Sequence, residues 1–459
     1  MRYYSTRSKN NPVSFAEAAV AGLAPDGGLY VPEEIPHLSQ KVISSLGTMA
    51  YTDIAFETIK PWVYDDIPSA VLEEMVHWAY PFSAPLINAG PRLVLELFHG
   101  PTAAFKDFGA RFMAHCFSYL RRGEIKPLKI LTATSGDTGG AVADGFFGVE
   151  GITVTVLYPR GRITPLQEKQ IAGLGGNITA IAVEGSFDDC QRLAKEAFGD
   201  PELKKRLALG SANSINICRL IPQAVYYASA AGRICSGLTD PDGEATPRRP
   251  GVSRPDTSRP GAGLADRPAI LSVPSGNFGN LTAGLYAYKM GAPIGRFIAA
   301  TNINRTVPDY LEKGSYEIHS SQATISNAMD VGAPSNFERM ASHFSWNQMR
   351  SLILGASVTD DETKKTISDV YEQGYYLDPH SAVAWRAAET LEKSGKLPAG
   401  EKAAILSSAH PAKFSETMET LTGPIPLPAS LQKVMERNAE AQTIPANLDA
   451  LRALLQEAL

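Results

Sequence analysis

The pattern of hydrophobic and polar positions changes character near residue 91, where short apolar runs begin to alternate with longer amphipathic stretches. Arg92–Phe98 (RLVLELF) reads as a strand, and Phe108–Arg122 as a helix with Phe112, Cys116 and Tyr119 at helical spacing. Further strands are predicted at Lys129–Thr134, Ile152–Tyr158, Ile178–Val183, Ala269–Val273, Phe297–Thr301 and Ala403–Leu406. Near-continuous apolar strands separated by helices imply parallel sheets covered on both faces, hence an α/β fold. Residues 1–90 carry helix-like text at Ser14–Ala21 and Ser69–Tyr80 with little strand signal, so they read as a separate, mostly helical domain. An amphipathic helix is expected at Leu448–Leu459.

One segment breaks the series. Residues 236–267 are dense in Pro, Gly, Asp and Arg and poor in apolar side chains, so burial cannot offset the entropy of ordering them. They are expected to form a mobile surface insertion whose deletion leaves turnover within a few-fold. The chain then divides into an N-terminal domain (1–90), a large domain (91–127 and 268–459), a small domain (128–235) and the insertion (236–267).

The 459 residues carry Lys+Arg 43 against Asp+Glu 48, a net charge of −5, and 44% hydrophobic residues, enough for large buried cores. An acidic isoelectric point near 6.0 argues against a general nucleic-acid binder. No apolar run reaches the roughly 18–20 residues that span a bilayer. Glu17 interrupts the short apolar stretch near the N-terminus, so no signal peptide is read there. Cys116, Cys190, Cys218 and Cys235 form no C-x-x-C and suit a reducing compartment, so a cytoplasmic protein without metal ligands is expected.

Four strand-to-helix junctions could carry chemistry. In Phe98–Gly109 (FHGPTAAFKDFG), Lys106 lies among apolar neighbours at a helix start, where desolvation and the helix dipole disfavour its ammonium form. A neutral amine is the nucleophile that makes Schiff bases, although a lysine paired with Asp107 and reaching the surface fits this text equally. In Ser272–Gly284, the residues Gly276, Asn277, Phe278, Gly279 and Asn280 form a glycine-containing turn with Asn280 as helix N-cap. Such a turn either cradles a phosphate or is only a tight corner; a nucleotide-binding P-loop is excluded by the missing lysine. Thr134, Ser135, Gly136, Asp137 and Thr138 offer hydroxyls and backbone donors, with Asp137 a cap in the plainer alternative. In Leu406–Phe414 (LSSAHPAKF), one hydroxyl could meet a ring nitrogen or simply cap the loop.

Taken together, FHGPTAAFKDFGARF, SGDTGGAVADGF, VPSGNFGNLTAG and SSAHPAKF resemble threonine synthase of the longer, bacterial and fungal type. LAPDGGLYVPE, YPRGRITPLQEKQ, SNAMDVGAPSNFERM and DPHSAVAW extend the resemblance over nearly the whole chain outside 236–267. It implies a fold-type-II pyridoxal-phosphate enzyme of the tryptophan-synthase-β kind, with two open, mostly parallel sheets flanked by helices. Lys106 would be the Schiff-base lysine, 276–280 the phosphate cradle, and Ser408 the hydroxyl at the pyridine nitrogen, where the family often has Thr. Thr134–Thr138 would hold the amino-acid substrate, with Asp137 standing where many relatives of other activity carry Asn. The implied activity is that of a carbon–oxygen lyase in threonine biosynthesis: O-phospho-L-homoserine and water give L-threonine and phosphate by γ-elimination and β-hydration.

Arg162, helped by Thr102 or Asn327, is the expected anchor of the substrate's phosphate; a solvated turn at Arg160–Arg162 is the alternative. His410 is expected to orient the Ser408 loop. The only partner expected is the small-molecule substrate, with neither nucleic acid nor membrane bound and the oligomeric state left open between monomer and dimer. Two rival activities share this text. A phospho-lyase on the same scaffold would release 2-oxobutyrate, ammonia and phosphate, and a non-catalytic relative would not need the Lys106 amine.

Overall fold

Six apolar segments build the larger sheet in a computed structural model of the chain, which describes residues 1–243, 245–251, 267–398 and 400–457. Across the sheet they run Ile353–Ser357, Ile294–Thr301, Ala269–Pro274, Ala404–Ser407, Arg92–Glu96 and Leu86–Ala89. All neighbours are parallel except the last pair, where Leu86–Ala89 lies antiparallel along Arg92–Glu96. Ala269–Pro274 is buried along its whole length, packed by Ala224–Cys235 and Pro379–Lys393, which is why its text shows no alternation. Ile405 pairs with Val94 on one flank and Ser272 on the other, bringing the ends of these strands level with one another.

The smaller sheet is wholly parallel: Gln442–Pro445, Ile178–Glu184, Ile152–Pro159, Leu128–Ala133 and Ala208–Ser211. Its outer strand corrects the expected division of the chain. Residues 268–459 do not all stay with the large sheet: Gln442–Pro445 crosses back, and helix Leu448–Glu457 packs against Phe187–Gly199, burying Leu451 and Leu455. Only Ile444 of that four-residue strand is buried, so no periodic signal marks it. Leu86–Ala89 likewise joins the large sheet from inside the expected N-terminal domain.

Nor do residues 1–90 stand apart. They hold a short antiparallel pair, Tyr3–Ser5 with Tyr30–Pro32, and helices Phe15–Ala21, Gln40–Ser45, Tyr51–Val63 and Ser69–Ala79. Trp62 is fully buried and stacks on Tyr286 at 5.3 Å, and one continuous apolar cluster includes Phe15, Trp62, Phe108 and Leu271. Burying so much aromatic and aliphatic surface fixes this region onto the large sheet. Among the described residues no helix is long and apolar enough to cross a membrane.

The insertion also differs from expectation over its first half. Asp240 clasps Leu86 by both backbone and side chain, and Arg248 forks onto Asp242 at 2.8 and 3.0 Å while donating to the Asn88 carbonyl. The Thr246 hydroxyl donates to fully buried Glu96, and the Arg248 guanidinium lies over the Tyr375 ring. Residues 236–243 and 245–251 therefore cover the edge strand of the large sheet, using charge-assisted hydrogen bonds where apolar burial is lacking. The remainder, 252–266, lies outside the described residues.

Arg248→Ala is expected to leave the Asp242 carboxylate, 4% exposed, without its partner. Stability should fall by about 3–5 kcal/mol, read as a lower denaturant midpoint at unchanged slope.

Candidate active site

Five strands end at one cavity of about 940 Å³, each at its carboxyl end as open parallel sheets require. Arg92–Glu96 leads to Lys106, Ala269–Pro274 to 275–280, Ala404–Ser407 to Ser408, Leu128–Ala133 to Thr134–Thr138, and Ala208–Ser211 to Asn213 and Ser214.

Lys106 opens the helix Lys106–Leu120 and faces the cavity. Its approach loop is tight. Ala103 sits at φ 54°, and a Cβ on Gly100 would stand 2.3 Å from an Asp107 carboxylate oxygen. The Phe105 N–H donates to the Ser408 carbonyl, coupling the lysine's loop to the end of the neighbouring strand. Burial lowers the Lys106 amine to about 8, with Asp137 opposing that shift and Arg219 and Lys413 reinforcing it. Asp107 does not pair with it. Its carboxylate is turned under the loop onto Thr102, and burial raises it to about 7.

The turn at 276–280 meets the requirements of a phosphate cradle. Phe278 is held in the left-handed region at φ 59°, a strained state that persists only where the surroundings enforce it. It is the N-cap of helix Gly279–Lys289 and caps nothing with its side chain, so among the described residues the first-turn N–H groups have no side-chain acceptor. Gly276 is required by contact: a Cβ there would meet the Ala328 carbonyl at 2.7 Å. Asn280 is not the N-cap; it lies inside the first turn. Its Oδ1 accepts from the hydroxyls of Tyr226 and Tyr227, both at 2.7 Å, which fixes the amide and leaves a buried Nδ2 without an acceptor among the described residues. A buried donor of this kind, beside a helix N-terminus and a cavity, calls for an anion.

On the opposite wall Thr134 Oγ1 accepts from the N–H groups of Gly136 and Gly139. Ser135, Asp137 and Thr138 line the cavity at the start of helix Asp137–Phe146. Gly136, at φ 134°, does not line it; it lets Gln167 approach, since a Cβ would stand 2.4 Å from that side chain.

Three family models match the chain: one described as Threonine synthase N terminus over residues 2–80, one as Pyridoxal-phosphate dependent enzyme over 85–225 and 262–409, and one as Threonine synthase, C-terminal over 381–455. The sequence is 42% identical over 458 residues to threonine synthase of Escherichia coli (strain K12), covering 99% of each. The chain belongs to the threonine synthase family.

The threonine synthase crystal structure from Escherichia coli superposes with a TM-score of 0.86 at 41% identity, covering 100% of both chains. The pyridoxal-phosphate-bound threonine synthase from Brucella melitensis gives 0.86 at 34% identity, covering 100% of this chain and 99% of that one. The fold is thus the fold-type-II architecture of pyridoxal-phosphate enzymes, and the protein is a lyase of the threonine synthase family.

Of the residues singled out in the sequence, Lys106, 276–280, Ser408, Thr134, Ser135, Asp137 and Thr138 meet at this cavity. Arg162 does not. It is exposed on the turn after Ile152–Pro159, away from the lining, and Thr102 and Asn327 are also outside it. The arginine that does line the cavity is Arg219, buried in the short helix Ile217–Leu220. Its guanidinium donates to the Ala212 carbonyl, no carboxylate forms an ion pair with it among the described residues, and burial lowers it to about 10. The polar text Ser211-Ala212-Asn213-Ser214 before a helix was the available signal, of the same kind as the other junctions.

Proposed function

We propose that this cavity converts O-phospho-L-homoserine and water to L-threonine and phosphate, with Lys106 as the residue that anchors the cofactor and moves the protons. One observation carries the proposal: the buried Lys106 amine, lowered to about 8, shares its cavity with two separate sets of anion-binding groups, the 276–280 cradle and Arg219. Pyridoxal phosphate, when bound, supplies the electron sink that lets protons leave carbon.

The cradle and the free Asn280 amide would hold the cofactor's phosphate, and Ser408 would offer its hydroxyl to the ring nitrogen. An amine titrating near working pH can both take a proton from the substrate's carbon and return it. Arg219 then takes the substrate's phosphate, the role first expected of Arg162, because a permanently charged fork without a carboxylate partner favours a dianion. Ser135 and Thr138, at a helix N-terminus, suit the substrate's carboxylate. Asp137 does not, since its own carboxylate is held well below the usual range by Lys413, Lys106 and Gln167 and would repel another anion.

The deciding experiment supplies O-phospho-L-homoserine to the purified protein and identifies the organic product beside released phosphate. L-Threonine in equal amount to phosphate is expected. Release of 2-oxobutyrate and ammonia would make it a phospho-lyase, and absence of turnover together with absence of a visible cofactor band would make it a binding relative.

A further inference from the structure

Beneath the cavity lies an ion pair that the proposed chemistry leaves unused. Lys413, wholly buried in the short turn Pro411–Phe414, places its Nζ 2.8 Å from Asp137 Oδ1 and 2.8 Å from the Thr102 carbonyl oxygen. Asp137 Oδ1 also accepts from Gln167 Nε2 at 3.0 Å, and the Thr102 carbonyl from Gln170 Nε2 at 3.0 Å. Gln167 and Gln170 stand one turn apart on helix Pro165–Ala172, so that helix grips both ends of the pair. The pair joins the two sheets' loops: Asp137 follows the small sheet's strand Leu128–Ala133, while Lys413 and Thr102 follow strands of the large sheet.

We propose that Lys413 is a positioning residue that keeps the Asp137 carboxylate occupied, so that the Lys106 amine has no counterion and stays free to react. Two lysines compete for one buried carboxylate. Asp137 makes its direct contact with Lys413, and no ion pair to Lys106 forms among the described residues. An ammonium held against a buried carboxylate offsets part of its charge as seen from a third group, and burial stays the largest influence on Lys106. Remove Lys413, and Asp137 becomes an uncompensated anion beside Lys106, favouring its ammonium form. Remove the Asp137 charge instead, and Lys413 becomes an uncompensated cation, favouring the neutral amine still further.

The charged groups that face the Lys106 amine are Asp137, Arg219, Lys413 and Asp378, the N-cap of helix Pro379–Lys393. Asp378 is engaged by Ser381 and by His380 Nδ1 at 2.9 Å, and Arg219 is common to all the variants below. The expected signs therefore depend on Asp137 and Lys413 alone.

The inference adds to the assignment of Lys106 as the anchoring lysine and is read without turnover. Full-length protein stripped of cofactor is exposed to an acylating reagent at a series of pH values, and modification of Lys106 is followed by peptide mass mapping. Lys413→Met should raise the midpoint of Lys106 reactivity by about one pH unit or more. Asp137→Asn should lower it, the double variant should fall between the two, and Lys413→Arg should restore the wild-type midpoint. A role confined to packing would lower the thermal midpoint without moving reactivity in opposite directions. If Lys413→Met does not fold, Asp137→Asn decides: a midpoint that stays in place or rises overturns the proposal. Mapping of borohydride-trapped cofactor to another residue would instead overturn the anchoring assignment, leaving these midpoints as they are.

Discussion

Lys106→Ala is expected to reduce turnover by at least about 10³-fold while leaving the fold intact, because it removes the proposed covalent anchor and the proton carrier together. The side chain faces a cavity, so truncating it opens no void in the core and leaves no buried partner stranded. Asp107, the adjacent acid, is already satisfied by Thr102. The thermal midpoint of the stripped protein should therefore match wild type. Borohydride treatment should incorporate cofactor into the Lys106 peptide of wild type and into no peptide of the variant. Retention of more than about a tenth of wild-type turnover would exclude Lys106 as the proton carrier, since positioned general acid–base groups contribute about 10²–10⁴-fold.

Arg219→Met should lower kcat/KM for the phosphorylated substrate by about 10²-fold or more, each charge-assisted hydrogen bond contributing about 1.5–3 kcal/mol. Arg219 also supports the wall, donating to Ala212 and packing against Gly109, so loss of activity alone would not separate binding from structure. Arg219→Lys does separate them. It keeps the charge and most of the volume but loses the fork, and should recover only part of the lost kcat/KM. The visible spectrum of the bound cofactor should be unchanged in both variants, because the cradle at 276–280 is built from other elements. Arg162→Ala, on its exposed turn, should leave KM within a few-fold of wild type. The reverse ranking, with Arg162 costly and Arg219 silent, would return the phosphate anchor to the turn.

Much of this cavity was legible in the sequence because its parts sit where apolar strands stop abruptly at glycine and hydroxyl residues. The convergence of Lys106, 276–280 and Ser408 follows from parallel strands all presenting their carboxyl ends to one side. Arg219 is hidden in the sequence because its neighbours, Ile217, Cys218, Leu220 and Ile221, are core text, and a charge amid core text gives no sign of which way it points. Arg162 is the converse case: a charged turn reads the same whether it lines a cavity or faces water. Lys413 sits in the Leu406–Phe414 motif, yet a lysine ordinarily carries its amine to the surface, and only the fold shows Asp137 and Thr102 waiting for it. The docking of 236–243 and 245–251 is hidden by composition, since its hold on the sheet edge is by ions and hydrogen bonds rather than by apolar side chains.

The return of residues 442–457 to the small sheet has a consequence for biosynthesis on the ribosome. Strand Ile178–Glu184 emerges early, but its outer neighbour is translated only after the whole of the large sheet. Until then the nascent polypeptide exposes a bare row of amide and carbonyl groups, together with the apolar patch that Leu451 and Leu455 later shield. Chaperone capture during synthesis should accordingly concentrate on this edge, and messages truncated ahead of codon 442 should yield insoluble product even though every strand of the large sheet is encoded.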